Sequence, residues 1–437
     1  MTAPLHKTVS IWRNIPREAA GLLAALHLEK PDMALLTSLS DPEWCSLLAF
    51  CEISHLTLPL ALLPRDGFPL WVIERLDTNL ADNALRFEHV KVTYREAAEA
   101  LTKVGVEHIV IKGFTQAPEY VRKPSFRAQS DIDLFCQPET IETARAALQA
   151  IGYMLDDKTD NKAADHDAAL VRLGNWRWRG NPFDPEMPLG VELHFCLWNE
   201  HVSLVRIPQA TLFWERRMTR QVEDLSFPCL NPVDQLGHLA LHILRNLFLR
   251  DWVIHYVREL AAFLHSHANN ESFWQSWTET HSPALRSFEA IAFYHARAWF
   301  GCQLHPLAER EIASLPALRQ SWLQRFSGSA LEVMFQQNKD SLWLQLSFLS
   351  SRREKWKLLK QTLIPTHIAS VGSPTVQLRN RRLKRSDGDH PWRQYIAYLL
   401  SRSASHGHAN LTALTRGLGW YLSCSYSSRS LHDLKDL

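Results

Sequence analysis

The sequence predicts a helix-rich α+β protein with a small α/β core between two helical regions. Glycine is scarce, at 16 of 437 residues against about 7% in typical proteins, while leucine, alanine and tryptophan are plentiful. Short β-rich runs are confined to the middle of the chain, at 108–113, 130–136, 168–174 and 190–198. A content of 46% hydrophobic and 22% charged residues is that of a globular protein.

The first region, residues 1–104, is predicted to be helical. Its helices are expected at Arg17–His27, at Pro42–Cys51 and over a long segment that ends in VTYREAAEALTKVG. Gly105 follows the last of these, where a glycine commonly ends a helix.

The second region, residues 105–205, is predicted to be the α/β core. HIVIKG is a β-rich run, FTQAPEYV a brief helical turn and SDIDLFC an alternating strand. PETIETARAALQAIGY, residues 138–153, has a proline near its start and Gly152 near its end, which predicts a helix. AALVRLG and GVELHFCLW are two further strand candidates, separated by a loop rich in Gly, Pro and Asn.

After about residue 205 the chain is expected to return to helix. NPVDQLGHLALHILRNLFL, residues 231–249, opens with an asparagine cap and has apolar residues at helical spacing. A helical domain is predicted over 206–350, followed by a basic helical region, 351–437, with a linker near 372–391. This last region holds 15 lysines and arginines against 5 acidic residues.

The basic excess peaks in RNRRLKR, residues 379–385. Such a run is either a weak contact for nucleic acid, acidic lipid or a phosphorylated substrate, or a solvated linker. No aromatic residue interrupts the run to support base stacking.

Several classes of protein are disfavoured. The seven cysteines include no CxxC pair, which argues for thiols in a reducing compartment rather than disulfides or structural zinc. The first residues lack the apolar core of a signal peptide, and no apolar run approaches the ~18–20 residues that span a bilayer. A cytoplasmic protein with no membrane span is expected. The chain has no GxxxxGK[ST] or GxSxG motif, which disfavours a Walker ATPase or an ordinary serine hydrolase.

The central strands carry the candidate chemistry. Because strand side chains alternate between faces, Asp131 and Asp133 point the same way, and so do Glu192 and His194. If the two strands are neighbours, three carboxylates and an imidazole converge. Such oxygen ligands suit Mg²⁺, and paired ions support phosphoryl or nucleotidyl transfer. The alternative is a strand with two solvated acids on its outer face.

Positive charge and a glycine turn lie next to these acids in the sequence. Lys112 and Arg127 are available to neutralise phosphates, and Gly113 allows backbone amides to approach a phosphate without a Cβ in the way. Arg127 is alternatively a buried partner of Asp131.

Two other motifs resemble parts of metal sites. His238 and His242 have the spacing of two ligands on one helix face but no evident third zinc ligand, so packed histidines are favoured, with His242 a candidate to border the cleft. Asp165-His166-Asp167 contains the H-D doublet of metal phosphohydrolases, but without the other histidines which that chemistry needs.

The combined pattern resembles the uncharacterised nucleotidyltransferase family of the polymerase-β-like nucleotidyltransferase superfamily. That family has LKG, Y, R, DIDL, GY and DLH segments between helical flanks. The corresponding segments here are Ile111–Gly113, Tyr120, Arg127, Asp131–Leu134, Gly152–Tyr153 and Glu192–His194. Trp44, His55, His242 and the segment 355–365 resemble the flanks.

The resemblance implies a mixed-sheet nucleotidyltransferase core that transfers a nucleoside monophosphate from an NTP such as ATP to a hydroxyl. The acceptor is left open among protein, RNA, sugar and small molecule. Asp131, Asp133 and Glu192 would be the catalytic acids and would hold Mg²⁺ or Mn²⁺. Lys112, Gly113, Arg127 and His194 would contact the nucleotide.

The chain departs from the superfamily pattern in two places. No serine follows Gly113, where the superfamily has a Gly-Ser phosphate turn, and the third acid is Glu192 where aspartate is commoner. These departures leave a second hypothesis open, a module that binds a nucleotide or a partner without turnover.

Overall fold

A computed structural model describes residues 15–155, 165–172, 174–207, 210–251, 253–364 and 403–424. In this part of the chain one mixed seven-stranded sheet lies among many helices. The predicted helix-rich α+β class is therefore confirmed. The basic run 379–385 and the predicted linker lie outside the described residues.

The helices before the sheet are α1 to α5. Their bounds are Arg17–Ala25, Ala34–Thr37, Asp41–Ser54, Thr57–Ala61 and Leu70–Lys103. Helix α3 begins with a capping box, in which Ser40 and Glu43 satisfy each other's backbone groups. Helix α5 ends where the sequence predicts, and Gly105 follows it with φ +72°.

The remaining helices are α6 to α16. Their bounds are Ile141–Ala150, Glu200–Ser203, Pro232–Leu249, Ile254–Ser266, Glu271–Thr280, Pro283–Phe300, Pro306–Ala313, Ala317–Phe326, Ser329–Glu332, Ser341–Leu346 and Arg352–Leu363. The asparagine cap predicted for α8 is present, because the Asn231 side chain accepts hydrogen bonds from the backbone N–H groups of Val233 and Asp234. Residues 403–424 form a further helix, π-helical over Leu414–Leu418.

The strands are β1 to β7, in the spatial order β3-β4-β5-β2-β1-β7-β6. Their bounds are His108–Ile111, Asp131–Cys136, Met154–Leu155, Leu170–Val171, Gly190–His194, Met218–Val222 and Leu225–Cys229. Strand β2 lies at the centre, antiparallel to β1 and parallel to β5. The burial of β1 and β2, complete but for Asp131, explains their apolar composition.

The expectation of helix after residue 205 is wrong for one segment. Strands β6 and β7 form an antiparallel hairpin, and β7 joins the edge of β1 in parallel. The exposed residues of β6 are polar apart from Met218, and β7 contains Pro228, so neither strand shows a clear alternation of apolar residues. The core sheet thus takes strands from both sides of the boundary predicted near residue 205.

A buried charge network stabilises the helices that follow the sheet. His281 lies between Asp234 of α8, at 3.1 Å, and Glu289 of α11, at 2.7 Å, and all three side chains are fully buried. Arg216 forms a two-pronged ion pair with the same Asp234. Burial alone would lower the pKa of His281, but attraction to Glu289 and Asp234 raises it to about 9.

No helix within the described ranges is long and apolar enough to cross a membrane.

Candidate active site

Strand register brings the predicted acids together. Strands β2 and β5 are parallel neighbours, with Asp133 directly opposite Glu192 and Asp131 opposite Gly190. Residues opposite each other in adjacent strands place their side chains on the same face. The two strands are therefore neighbours, as the predicted site requires. Their acidic side chains converge and face a cleft.

Asp133 is the most enclosed of the acids. Its Oδ1 accepts a hydrogen bond from Lys112 Nζ at 2.6 Å and lies 2.8 Å from His194 Nε2. Burial alone would raise the pKa of Asp133, but Lys112 and His194 hold it well below its ordinary value. Asp133 is thus an ionised carboxylate inside the protein, with a lysine as its counter-ion.

Glu192 and His194 continue the cluster along β5. The Nε2 atom of His194 lies 3.7 Å from Glu192 Oε2, and ligand atoms of Asp133, Glu192 and His194 all lie within 4.8 Å of one another. His194 is buried, and its hydrogen bond to Asp133 together with the nearby Glu192 carboxylate raises its pKa despite the burial. This is the one group of three or more potential metal ligands within the described ranges.

Asp131 lines the same cleft, and among the described residues it has no cationic partner as close as Lys112 is to Asp133. Its Oδ2 lies 3.4 Å from Ser130 Oγ. Burial, with repulsion from Asp133 and Glu192, raises the pKa of Asp131 to about 7. Three neighbouring carboxylates with one lysine among them form a site that favours an added cation.

Arg127 points into the cleft, held from behind by Glu259 of α9. The two form a largely buried ion pair, with Arg127 Nε 2.8 Å from Glu259 Oε1. The alternative in which Arg127 pairs with Asp131 is therefore not the arrangement found. Arg127 stays in position to meet an anion that enters the cleft.

Gly113 has a packing role. It is buried with φ +53°, and a Cβ at this position would lie 2.5 Å from the Gln129 side-chain nitrogen. That nitrogen donates a hydrogen bond to the backbone carbonyl of Asp131 at 2.7 Å. Glycine here admits the amide that fixes the start of β2, and the predicted contact between Gly113 and a nucleotide stays a prediction.

Helix α5 holds the segments that precede both acid-bearing strands. Asn83 donates to the backbone carbonyls of Ser125 and Arg127. The buried Arg86 guanidinium donates to the carbonyl of Gln129 at 2.9 Å and to two carbonyls in the loop before β5. The long N-terminal helix therefore sets the position of the site without entering it.

The cleft has a volume of about 220 Å³ and lies between the sheet and the helices α3, α8 and α9. This volume is far above the ~10–15 Å³ that one water needs. Its lining beyond the predicted acids and cations includes His55, Asp165, His166, His242, Arg245, Asn246, Asp251, His255 and Tyr256.

Asp165 and His166 also line the cleft, although the sequence did not predict them as site residues. Residue 166 forms a β-bridge to His194, and the two imidazole rings lie 4.9 Å apart. Asp165 pairs with Arg245 of α8 at 3.0 Å, while His166 Nδ1 lies 3.6 Å from Glu192. Within the H-D doublet itself, His166 lies near Glu192 and Asp167 pairs with Arg145, so among the described residues the doublet lacks the histidine partners that metal phosphohydrolases have.

The helical wall of the cleft carries uncharged rings. His242 borders the cleft, as expected, with its ring 4.5 Å from that of Tyr256. Burial lowers the pKa values of His55, His242 and His255, so these imidazoles are neutral near pH 7. His238 is buried behind them, and the favoured interpretation of packed histidines fits this pair.

The donor set fits a hard divalent cation. Carboxylate oxygens of Asp131, Asp133 and Glu192 face one cleft, whose described lining holds five carboxylates against three lysine and arginine side chains. Oxygen donors of this kind suit Mg²⁺ or Mn²⁺ better than soft metals. Zinc with cysteine ligands is disfavoured, since the cluster contains no thiol.

Comparison with known proteins agrees with this geometry. The profile of a family described as uncharacterised nucleotidyltransferase matches residues 42–301, which include the whole sheet, helices α3 to α11 and every residue that lines the cleft. No curated protein and no solved structure matches the chain. The matched segment covers more than half of the sequence, and the chain belongs to the uncharacterised nucleotidyltransferase family.

Proposed function

We propose that the protein is a Mg²⁺- or Mn²⁺-dependent nucleotidyltransferase that transfers a nucleoside monophosphate from an NTP to a hydroxyl of an acceptor. The observation that carries this proposal is the register of β2 and β5, which aligns Asp133 with Glu192 beside Asp131 in one cleft. The family match gives the transferase class.

In this proposal Asp131, Asp133 and Glu192 hold the metal. A bound divalent cation supplies charge neutralisation at the phosphates and lowers the barrier to attack at the α-phosphorus. Lys112 and Arg127 place positive charge beside the triphosphate, and Glu259 keeps the Arg127 guanidinium turned towards it. The acceptor oxygen forms a bond to the α-phosphorus as the bond to pyrophosphate breaks, and Glu192 helps to accept the hydroxyl proton.

The described surroundings favour a polar substrate. Among the sixteen described residues that line the cleft, Ala128 is the only one without a polar side-chain group. A triphosphate and a hydroxyl-bearing acceptor satisfy such a lining, whereas an apolar ligand would leave buried polar groups unpaired.

The second candidate is a module that binds a nucleotide without turnover. It is favoured by two observations: Gln129 fills the space beside Gly113, and Lys112 is hydrogen-bonded to Asp133. The backbone at Gly113 and the Lys112 ammonium group therefore contact other residues of the protein instead of being free to bind a phosphate.

One experiment separates the two candidates. Each NTP is titrated calorimetrically in the presence of Mg²⁺, and pyrophosphate release is then measured on wild-type protein and on Asp131→Asn. Binding followed by release, with release reduced at least ~100-fold in Asp131→Asn, supports the enzyme, since loss of even a partner of a metal ligand costs ~10–100-fold. The control is Asp77→Asn at an exposed ion pair with Arg65.

Release that is undiminished in Asp131→Asn would contradict the proposed mechanism. Binding with no release for any NTP, with either metal and with candidate acceptors of each class, would favour the binding module.

A further inference from the structure

The helix of residues 403–424 presents an exposed apolar face. Four leucines that are 36–62% exposed lie along it: Leu411, Leu414, Leu418 and Leu422. Their spacing of three and four residues places them on one side of the helix. We call these four residues the leucine face.

The orientation of this helix is set by contacts on its other side. Gly417 lies against Trp343 so closely that a Cβ would be 1.9 Å from the indole nitrogen. Arg416, the one Lys, Arg, Asp or Glu residue of this helix, turns inward and lies 3.3 Å from the buried Asp340. The helix is therefore locked with its leucines outward and with no charged side chain among them.

Helix α16 contributes a second unusual surface next to the first. Trp356 is 71% exposed and Ile364, just beyond the helix, is 55% exposed. The exposed residues Arg353, Lys357 and Lys360 lie on the same side at helical spacing. We call these five residues the basic face.

The two surfaces belong to one part of the molecule. Asn410 donates a hydrogen bond to the carbonyl of Leu363 at 2.9 Å, and His406 Nε2 lies 3.2 Å from the same oxygen. The end of α16 is therefore packed against the helix that bears the leucine face, so the two surfaces are neighbours.

Charge decides which partner fits. The described residues of this region, 351–364 and 403–424, hold six lysines and arginines against one acidic residue, so a second copy docked here would bring two positively charged surfaces together. A nucleic acid would meet the cations but gain nothing from leucines, which offer no stacking surface. An acidic membrane surface binds both kinds of residue, since leucine and tryptophan insert into the interface while lysine and arginine are attracted to the anionic headgroups.

We propose that the leucine face and the basic face together form a docking surface for membranes that contain anionic lipids. The contact is peripheral: the two helices lie on the headgroup layer, and the cleft between the sheet and α8–α9 stays within the protein body.

The test uses the full chain in co-sedimentation with vesicles of phosphatidylcholine alone or phosphatidylcholine mixed with phosphatidylserine. We expect binding to the mixed vesicles to exceed binding to neutral vesicles at least tenfold and to weaken as salt is added, because each cation near an anionic surface contributes about fivefold. Equal binding to both vesicle types, or no binding, would overturn the proposal.

Two double variants with matched controls test whether the leucine face and the basic face are the surfaces that bind the vesicles. Leu411→Glu/Leu418→Glu is expected to lose binding at least tenfold, whereas Leu70→Glu, at a leucine 70% exposed elsewhere, keeps it. Lys357→Gln/Lys360→Gln is expected to lose binding to anionic vesicles on the order of tenfold, whereas Lys103→Gln keeps it. Thermal unfolding midpoints must match the wild type, as expected for exposed sites.

Light scattering and RNA retention test the two other possible partners of this surface, a second copy of the chain and RNA. A dimer that the Leu411→Glu/Leu418→Glu variant dissolves would assign the leucine face to a second copy and overturn the proposal. RNA retention that the same variant abolishes would overturn it equally.

Discussion

The Lys112–Asp133 ion pair at the centre of the site makes a sharp prediction about stability. Lys112→Met removes the cation and leaves Asp133, which is 5% exposed, without its lysine. At 2.6 Å the attraction between the two charges is about 6 kcal/mol for an effective dielectric constant near 20. Desolvation of both groups offsets most of this, and loss of one partner of a buried pair typically costs about 3–5 kcal/mol.

The assay is urea unfolding followed by circular dichroism in metal-free buffer. We expect Lys112→Met and Asp133→Asn each to lower the free energy of unfolding by about 3–5 kcal/mol, and the double variant to recover at least ~2 kcal/mol of their summed cost. The control is Lys103→Met, which breaks a 2.8 Å pair with Glu99 whose side chains are 69% and 67% exposed. That variant should leave the free energy of unfolding nearly unchanged.

Equal effects of Lys112→Met and Lys103→Met would refute this reasoning, and so would strictly additive costs in the double variant. The prediction also guides the functional test. Because Asp133→Asn leaves the buried Lys112 without its carboxylate partner, Asp131→Asn is the variant chosen to test function.

Three further predictions follow from the structure. Gly113→Ala should destabilise the protein more than Gly105→Ala, because both have positive φ but only the first meets the Gln129 amide; the positive φ alone costs about 1–2 kcal/mol, and equal unfolding midpoints would contradict the packing role. His281 has its pKa raised to about 9, so its stabilisation of about 3 kcal/mol is fully present below about pH 6.5 and lost as the pH rises through about 9. Urea unfolding should show this loss in wild type and not in His281→Gln, and identical pH profiles would refute it. Arg86→Met removes three hydrogen bonds to backbone carbonyls and should cost at least ~3 kcal/mol in urea unfolding, while a change within measurement error would show that α5 does not hold the site loops.

The central strands were predictable because their signals are local. The alternation in SDIDLFC and GVELHF indicates which side chains share a face, and the apolar neighbours indicate that both strands are buried. Their parallel pairing aligns Asp133 with Glu192. This pairing depends on tertiary structure, and the sequence alone does not show that the two strands are neighbours.

The other walls of the cleft come from distant parts of the chain. Glu259 lies 132 residues from the arginine it holds, and Arg245 lies 80 residues from Asp165. No local periodicity links such residues, so the sequence alone indicates neither the Arg127–Glu259 pair nor the pairing of Asp165 with Arg245 beside the cleft. The packing at Gly113 is equally absent from local sequence signals, because the side chain that fills the space beside it comes from Gln129, beyond the intervening turn.

The most direct test of the metal and nucleotide site is a crystal structure with Mn²⁺ and a non-hydrolysable NTP analogue. We expect anomalous density for manganese at the carboxylates of Asp131, Asp133 and Glu192, with the triphosphate beside Lys112 and Arg127. Manganese bound away from these carboxylates, or a nucleotide bound outside the cleft, would contradict this expectation.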